Sequence, residues 1–350
     1  MLVSLTRQLT VGTSLNAGQV RDAVVALVSE AQSTESKADF LTALAQKNET
    51  PEEIAAFANE LRARSVAVPV DQQTRSAEIL DVCGTGGDRL NTFNISTTVA
   101  LVAAAAGVIV AKHGNRAITS QAGSADVLEA LGVRIELSPG DAAAWLREYQ
   151  FAFFFAPNYH PAFKHIGPAR KLCAERGQRT IFNFLGPLLN PAGPTAQLIG
   201  VPRPELCEPV ARVLQTLGAR RGLVVSGCVE EKEASFLDEL STLGPSYVAE
   251  FYHERGFTSS PLSHKDFPLQ KATLADLAGS DRASNAEIVR AIVHGKDRGP
   301  KRDAVLLNAS AALLVGGRVK SLSEGWALAE TVIDRGDAAQ KLEQLRKASK

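Results

Sequence analysis

The sequence predicts an α/β protein with a small N-terminal helical domain and a larger domain that has a mostly parallel central sheet flanked by helices. Residues 1–70 carry helical patterns of apolar residues without strand patterns. Through residues 77–350, short apolar strand segments alternate with helical segments, which is typical of a parallel sheet. Three polar, glycine-rich loops separate the apolar segments of residues 81–133. We therefore expect a helical domain at 1–70 and an α/β domain at 77–350, with the polar segment 69–76 as linker.

The clearest helix of the N-terminal region begins after Thr50. Thr50 is a suitable N-cap, Pro51 suits the first turn, and Glu53 completes a capping box. The apolar residues that follow on one face are Ile54, Phe57, Ala58 and Leu61. This stripe must pack on a neighbour, and an earlier stripe consists of Val24, Leu27 and Val28. A small helical bundle follows from the two stripes.

The alternation of strands and helices continues beyond the glycine-rich loops. Strands are predicted at 133–137, 151–156, 196–201 and 222–225, and helices at 141–149, 160–177 and 205–217. Residues 247–252 resemble part of a hairpin, and 253–270 form a long loop of ambiguous structure. The C-terminal part is predicted to be helical, with a capping box at Ser321 and Glu324.

Composition excludes several classes of partner. The 350 residues contain 38 Lys plus Arg and 38 Asp plus Glu, so the formal net charge of +0 gives no general attraction to nucleic acid or to a membrane. The longest apolar runs are shorter than the roughly 20 residues that a membrane span needs. The four cysteines are Cys83, Cys173, Cys207 and Cys228, and they show no metal-binding spacing. With no signal-peptide pattern, these features predict a cytoplasmic protein with reduced cysteines and neither nucleic acid nor membrane as a partner.

The first polar loop, GTGGD, follows the apolar strand 79–83. Gly84, Gly86 and Gly87 lack Cβ atoms, so several backbone N–H groups can approach a phosphate. Asp88 adds a carboxylate that could accept hydrogen bonds from a sugar hydroxyl or hold a hydrated metal ion. Taken alone, the loop fits an ordinary strand-to-helix turn equally well.

The second and third loops favour an anion site. Residues 94–97 precede an alanine-rich helix at 98–106, with Ser96 or Thr97 as the expected N-cap, and a helix N-terminus attracts phosphate. Residues 112–116, with two cations and an amide, follow the strand 108–111 at the end where open α/β sheets bind ligands. Ser120 and the turn Gly123-Ser124, before a helix at 125–131, add another capped N-terminus. Singly, His113 fits a structural histidine and Lys112 and Arg116 fit surface charges, but together they indicate a site.

The motifs GTGGD, TFNIST, KHGNR and GSADVLEALG occur in this order, and with them the sequence resembles the anthranilate phosphoribosyltransferase family. The match extends over most of the chain, through His160-Pro161, Arg170-Lys171, residues 179–183, residues 186–191 and Asp238-Glu239. The resemblance implies a fold of the nucleoside phosphorylase/phosphoribosyltransferase type, in which part of 160–180 joins the helical domain, and a homodimer. It also implies a reaction of tryptophan biosynthesis, in which the phosphoribosyl group of phosphoribosyl pyrophosphate (PRPP) passes to the amine of anthranilate.

The resemblance assigns roles to individual residues. PRPP is assigned to Gly84, Gly87, Asp88, Thr92, Asn94, Ile95, Ser96, Thr97, Lys112, His113, Gly114, Asn115, Arg116, Ala117, Ile118, Thr119, Ser120 and Ser124. Anthranilate is assigned to Gly84, Asn115 and Arg170, since a guanidinium can hold a carboxylate at two points. Mg²⁺, as two ions, is assigned to Ser96, Asp238 and Glu239, whose oxygen ligands suit this metal. No general acid or base is assigned, and His113 and His160 stay open as candidates.

One segment departs from the family pattern. Residues 228–235 are longer and more charged than the usual connection before the acidic pair, so the alignment of Asp238-Glu239 depends on Leu237 and Leu240-Ser241. If that alignment is wrong, Glu230, Glu231 and Glu233 become the metal candidates. Two other functions are compatible with the fold. A pyrimidine nucleoside phosphorylase would need a different lysine loop from KHGNR, and a noncatalytic relative that binds nucleic acid would need a basic surface.

Overall fold

The computed structural model describes residues 1–117, 121–232, 234–253 and 256–350. The chain begins with helices α1 Leu2–Thr10, α2 Ala17–Val28, α3 Thr34–Lys47, α4 Pro51–Arg62 and the short α5 Gln72–Ser76. The predicted capping box of α4 is confirmed, because Thr50 Oγ1 accepts the Glu53 N–H and the Glu53 carboxylate accepts the Thr50 N–H. The two apolar stripes also meet, with Val24, Leu27, Phe57 and Leu61 buried in one cluster.

The rest of the chain alternates strands with helices. The strands are β1 Ile79–Gly84, β2 Ile109–Gly114, β3 Phe151–Phe155, β4 Ala196–Gly200, β5 Arg221–Cys228, β6 Phe236–Leu237, β7 Ser246–Tyr252 and β8 Gly256–Leu262. The helices are α6 Ile95–Ala105, α7 Ser124–Ala130, α8 Pro139–Tyr149, α9 Ala156–Tyr159, α10 Gly167–Glu175, α11 Phe182–Leu185, α12 Cys207–Thr216, α13 Arg282–Val293, α14 Pro300–Val315, α15 Leu322–Asp334 and α16 Asp337–Ala348. No described helix is both long and apolar enough to span a membrane.

The strands form one mostly parallel sheet in the order β3-β2-β1-β4-β5-β7-β8. The first five strands of this order run parallel, and β7, β8 and β6 add antiparallel pairs. One face of the sheet packs against the large apolar cluster that contains α6 and α14. The other face, through Ile199, Val224 and Phe251, packs against the cluster that contains the N-terminal helices, α10 and α12. The predicted α/β class with a helical N-terminal unit is confirmed.

Two predictions about local structure are wrong. Residues 133–137 are not a strand, although Val133, Ile135 and Leu137 are buried at alternate positions. Their backbone groups bind elsewhere, as when the Tyr159 hydroxyl donates to the Leu137 carbonyl, so alternate burial occurs without a ladder. The helix at the second loop begins at Ile95 with Asn94 as N-cap, so Ser96 and Thr97 lie inside its first turn.

Two other segments differ in detail. The ambiguous segment 253–270 contains β8, which pairs antiparallel with β7 and completes the hairpin. Near the C-terminus, Ser321 Oγ accepts the Glu324 N–H, but the Glu324 carboxylate accepts the N–H of Lys320 instead of Ser321, so the capping box is incomplete. Neither difference involves the carboxyl ends of the parallel strands.

Candidate active site

The carboxyl ends of β1 and β4 lie side by side, because Gly84 pairs with Gly200. Asp238, directly after β6, lies across both ends. A Cβ atom on Gly84 would be 2.5 Å from Asp238 Oδ2, and a Cβ atom on Gly200 would be 1.5 Å from the Asp238 carbonyl oxygen. Only glycine permits this close approach, so the GTGGD loop and Asp238 pack directly against each other.

Two buried carboxyl groups, those of Asp238 and Glu239, lie at this edge with the half-buried Asp88. The pKa of Asp238 is raised to about 8, first by burial and then by the negative charge of Asp88. Burial also raises the pKa of Glu239 well above its ordinary value, with the charge of Asp238 adding to the rise and Lys112 opposing it. The pKa of Asp88 is raised by burial, and its Oδ2 atom is buried without a hydrogen-bond partner. A divalent cation would neutralise this cluster and give the free carboxylate oxygen a partner.

The donor set fits Mg²⁺ better than a metal held by protein alone. Within the described parts of the chain, no group of three His, Cys, Asp or Glu side chains is arranged to hold a metal ion. Mg²⁺ retains waters and commonly takes substrate phosphate oxygens, so one or two carboxylates are sufficient protein ligands. The carboxylates of Asp238 and Glu239 therefore fit the ion that the sequence predicts.

The first turn of α6 and the second strand meet the acidic pair. The Ser96 backbone opposes the rise in the pKa of Glu239, as expected for an N–H facing a carboxylate at a helix N-terminus. Lys112, which lies within β2, is 1% exposed, and its Nζ donates to the Val82 carbonyl at 2.7 Å and to Ser96 Oγ at 3.4 Å. The structure thus brings Ser96, Lys112 and the acidic pair into one site.

The third loop folds back onto the N-terminus of α7. A Cβ atom on Gly123 would be 2.5 Å from the Ala117 nitrogen, so the loop backbone passes close to the turn. The Asp126 carboxylate accepts the N–H groups of Ala117 and Gly123, both at 2.9 Å. The Arg116 guanidinium binds Asp126 and Glu129, each at 3.0 Å, and these bonds raise its pKa. Arg116 therefore holds the shape of the loop in this structure.

The remaining predicted donor residues are described by the structure, with three exceptions. Asn115 is exposed, and its carbonyl oxygen accepts the Ser124 hydroxyl at 3.5 Å. Thr97 Oγ1 is buried without a hydrogen-bond partner. Thr92 forms a bridge with Ala278. The exceptions are Ile118, Thr119 and Ser120, which lie outside the described residues.

A row of rings connects Arg170 to the third loop. The Arg170 guanidinium lies 5.1 Å from the centroid of Phe182, which makes an edge contact with Phe163 at 5.6 Å. Phe163 stacks on His160 at 5.2 Å, and His160 Nε2 lies 3.3 Å from His113 Nε2. Burial alone lowers the pKa of Arg170, so no neighbouring charge accounts for the shift. The row offers an apolar wall with a cation at one end.

The two histidines in this row are neutral at pH 7. Burial is the largest cause that lowers the pKa of His113 to about 3 and that of His160 to about 4. His113 Nδ1 also lies 3.2 Å from the Gly186 carbonyl oxygen, and this contact acts against the shift. Both histidines are thus buried and in contact with protein groups, as structural residues are, which agrees with the interpretation of His113 considered alone.

The sequence interpretation missed a buried polar pair beneath the site. Asp81, in the middle of β1, accepts the His113 N–H at 3.2 Å and the Asn190 Nδ2 group at 2.9 Å. Asn190 Nδ2 also donates to the Ala111 carbonyl at 2.7 Å. Burial raises the pKa of Asp81 to about 6, while the Lys112 charge opposes the rise. A carboxylate inside an otherwise apolar strand was the signal that could have identified this pair.

The unusual connection 228–235 forms a turn between two paired strands. The Val229 N–H donates to the Ser235 carbonyl, and Gly227 pairs with Leu237. Glu230 and Glu231 are exposed, and the Glu231 carboxylate accepts the Leu274 N–H. Glu233 is not among the described residues. The turn directs Asp238 to the carboxyl edge, which supports the original alignment of the acidic pair.

Comparisons with known proteins agree with this geometry. Residues 76–339 match the α/β domain of a glycosyl transferase family, and residues 3–65 match the helical bundle domain of a glycosyl transferase family. The anthranilate phosphoribosyltransferase of Moorella thermoacetica is 44% identical over 348 residues, covering 99% of this chain and 97% of the relative. That of Persephonella marina is 44% identical over 353 residues, covering 100% of this chain and 99% of the relative. The chain belongs to the anthranilate phosphoribosyltransferase family.

Solved structures of this family have the same fold. The enzyme of Thermus thermophilus superposes with a TM-score of 0.87 at 41% identity, over 98% of each chain. That of Saccharomyces cerevisiae, solved in complex with PRPP and Mg, gives 0.86 at 27% identity, over 99% of this chain and 97% of the yeast chain. Membership of the family confirms the resemblance seen in the sequence and favours it over the nucleoside phosphorylase and nucleic-acid-binding alternatives.

Proposed function

We propose that the protein transfers the phosphoribosyl group of PRPP to the amine of anthranilate, giving N-(5-phosphoribosyl)anthranilate and pyrophosphate for tryptophan biosynthesis. The observation that carries the proposal is the buried acidic pair, which contacts the GTGGD loop through Gly86 and the first turn of α6 through the Ser96 backbone, with Lys112 beside Ser96. Yeast relatives have been solved with PRPP and Mg and with 4-fluoroanthranilate, an analogue of the proposed acceptor.

The donor is assigned to the three loops. Backbone N–H groups at Gly84 and Gly87 and the N-terminus of α6 provide donors for phosphate oxygens. The full proposed donor set is Gly84, Gly87, Asp88, Thr92, Asn94 to Thr97, Lys112 to Ser120 and Ser124. Lys112 is held by the Val82 carbonyl close to Ser96, so its charge lies beside the leaving group without blocking the loop backbone.

Ser96, Asp238 and Glu239 would hold Mg²⁺, whose chemistry is to neutralise the departing pyrophosphate. We assign two ions, as the family resemblance implies, and the raised pKa values of Asp238 and Glu239 fit carboxylates whose charge a cation would balance. As the bond between the ribosyl C1 and the pyrophosphate oxygen breaks, positive charge develops on the sugar. The carboxylate of Asp88, the last residue of the GTGGD loop, would stabilise that charge or bind a ribose hydroxyl.

The acceptor is assigned to Arg170, Asn115 and Gly84. Arg170 would bind the anthranilate carboxylate at two points, and the wall formed by Phe163 and Phe182 would face the aromatic ring. The aromatic amine is already nucleophilic, so positioning contributes more than a strong base. After the attack the amine nitrogen is positively charged and releases one proton to solvent water, and no residue is assigned as general base. The low pKa values of His113 and His160 make both imidazoles weak bases, which agrees with a reaction that needs no general base.

The domain boundaries and the homodimer belong to the same proposal. Residues 1–70 with part of 160–180 would form the helical domain, because Lys37 Nζ donates to the His165 carbonyl and Cys173 Sγ contacts the Ala38 carbonyl. Residues 77–350 would form the α/β domain. Four of the five exposed large apolar side chains in the described residues, Met1, Val3, Val11 and Val25, lie on or next to α1 and α2 and support dimerisation there. A cytoplasmic location stays a prediction.

An anthranilate fluorescence assay tests the proposed reaction. Purified protein with PRPP, Mg²⁺ and anthranilate should consume the anthranilate and release one pyrophosphate for each molecule consumed. Omission of PRPP or addition of a chelator should stop the reaction. A parallel sample with inorganic phosphate and uridine or thymidine tests the phosphorylase alternative. Phosphorolysis of a nucleoside without consumption of anthranilate would refute the proposal.

A further inference from the structure

Residues 277–279 form backbone hydrogen bonds with residues 91–93, which lie just before α6. The Phe93 N–H donates to the Leu277 carbonyl at 3.0 Å, and the Gly279 N–H donates to the Asn91 carbonyl at 2.9 Å. A Cβ atom on Gly279 would be 2.9 Å from the Phe93 Cα atom, so the two segments are in close contact. The loop that precedes α6 is therefore shaped by residues far along the chain.

Asn285 extends this contact to a side chain of the loop. It lies in the first turn of α13 and is 2% exposed. Its Oδ1 atom accepts the Ser280 N–H at 2.8 Å, and its Nδ2 group donates to Asn94 Oδ1 at 2.9 Å. The Asn94 Nδ2 group then donates to the Ala122 carbonyl at 3.1 Å. Three hydrogen bonds in series thus run from α13 through the second loop to the third.

The backbone groups at the two ends fix the orientation of both amides. The Ser280 N–H can only donate and the Ala122 carbonyl can only accept, so one orientation of each side chain satisfies all three bonds. In that orientation the Asn94 oxygen faces Asn285 and its NH₂ group faces the third loop. One N–H of that group binds Ala122, and the other has no described partner within the protein.

We infer that Asn285 is a positioning residue for PRPP, which it serves by holding the Asn94 amide with its N–H groups toward the donor loops. The inference depends on the proposed function, in which Asn94 contacts the donor. An N–H group attracts phosphate oxygens, whereas a reversed amide would present its oxygen to them. Asn285 itself lies behind Asn94 and needs no contact with substrate.

Asn285→Asp tests the orientation directly. The carboxylate can still accept the Ser280 N–H, but it cannot donate to Asn94 Oδ1, so the Asn94 amide should reverse. The KM for PRPP should rise by about 10- to 100-fold, the effect of losing a hydrogen bond to a charged group. The KM for anthranilate should change by less than about twofold. Asn285→Ala leaves the Asn94 amide free to keep its bond to Ala122 and should raise the KM for PRPP by less.

Two comparisons separate positioning from a structural role. In an Asn94→Ala background, Asn285→Asp should have no further effect on the KM for PRPP. Arg282→Ala, on the same turn of α13, removes an exposed contact with Glu129 at 3.8 Å and serves as the matched control. Thermal unfolding measures the stability of each variant. If Asn285→Asp does not fold, the KM for PRPP of Asn285→Ala, measured with and without Asn94→Ala, decides between positioning and a structural role.

Wild-type protein without transferase activity would overturn the proposed function. With an active wild type, equal effects of Asn285→Asp on both substrates would overturn the inference about Asn285. An unchanged KM for PRPP, or a full effect in the Asn94→Ala background, would do the same.

Discussion

Gly86 donates its backbone N–H to Asp238 Oδ2 over 2.6 Å, although the two residues are 152 positions apart in the sequence. Gly86 has a φ of +71°, a conformation that glycine adopts without strain. The bond ties the tip of the GTGGD loop to the acidic pair, so the groups proposed to bind the donor and its metal ions share one direct contact.

Gly200→Ala should remove most of the transferase activity. The new Cβ atom would lie 1.5 Å from the Asp238 carbonyl oxygen, so the backbone that carries the acidic pair must move. A displacement of about 1 Å at a catalytic site can cost about 100-fold in rate. Steady-state kinetics gives the loss. Gly140→Ala, in the first turn of α8, meets no atom closer than 4.0 Å and is the control. Equal activity of the two variants would contradict the close approach.

Asp238→Asn combined with Glu239→Gln should impair turnover and change the Mg²⁺ dependence while the fold stays intact. Both carboxyl groups have raised pKa values from burial, so neutral replacements carry no charge that must be buried. Mg²⁺ titrations of the initial rate check the effect, and circular dichroism checks the fold. Glu230→Gln combined with Glu231→Gln, in the exposed turn, is the matched control. If the control pair loses Mg²⁺ response and the buried pair keeps it, the acidic pair has been misassigned.

Arg170→Ala should weaken the use of anthranilate much more than the binding of PRPP. A hydrogen bond to a charged group contributes roughly 1.5–3 kcal/mol, so the kcat/KM for anthranilate should fall by about one to two orders of magnitude. Arg170→Lys should recover part of the loss, because an ammonium group lacks the planar two-point geometry. Kinetics with each substrate varied in turn decides the question. Equal losses for both substrates, or full recovery with lysine, would refute the proposed anchor.

Acidification should destabilise the protein partly through His160. Its pKa is about 4 in the folded protein, mainly because of burial, and roughly 6.5 in an unfolded chain. Its contribution is therefore complete above about pH 6.5 and is lost as the pH falls toward 4, by about 3 kcal/mol in the free energy of unfolding. Denaturant titrations from pH 7.5 to 4.5 should show a smaller loss for His160→Gln than for wild type. His294→Gln, at an exposed position, is the control. Identical pH dependence in His160→Gln and wild type would contradict the burial of a neutral histidine.

Light scattering at micromolar concentration should give a mass twice the 37.2 kDa of one chain. Val3, 59% exposed on α1, is a candidate contact, so Val3→Glu should shift the protein toward monomer. Tyr247→Glu changes a side chain of similar exposure on β7, outside α1 and α2, and should leave the mass unchanged. A monomer in the wild type would count against the proposed homodimer.

The sequence predicted those features that depend on neighbouring residues. The helix after Thr50 follows from capping and apolar spacing, and the strands before the first and third loops follow from short apolar runs with glycine boundaries. The strand prediction for residues 133–137 was wrong because residues can be buried alternately without pairing to another strand. Asn94 replaced the expected serine or threonine cap because the α6 helix begins at Ile95. The local sequence did not distinguish a helix that begins at Ile95 from one that begins after Ser96 or Thr97.

Contacts between distant segments of the chain could not be predicted from local sequence patterns. The bond between Asp81 and Asn190 joins residues 109 positions apart, and the bond between Asn94 and Asn285 joins residues 191 positions apart. Neither partner has a spacing or a flanking motif that indicates the other. For the acidic pair, the resemblance to a family provided what spacing did not, because adjacent acids usually lie exposed.

The turn between β5 and β6 gives the chain a place for added sequence. The pairs Gly227–Leu237 and Cys228–Phe236 fix the two strands on either side of residues 229–235, whereas Glu230 and Glu231 are exposed. Since the closure of a loop costs little more when the loop lengthens, extra residues at the tip need not move Asp238. A short epitope tag inserted after Lys232 should therefore leave the acidic pair in place and the transferase activity intact.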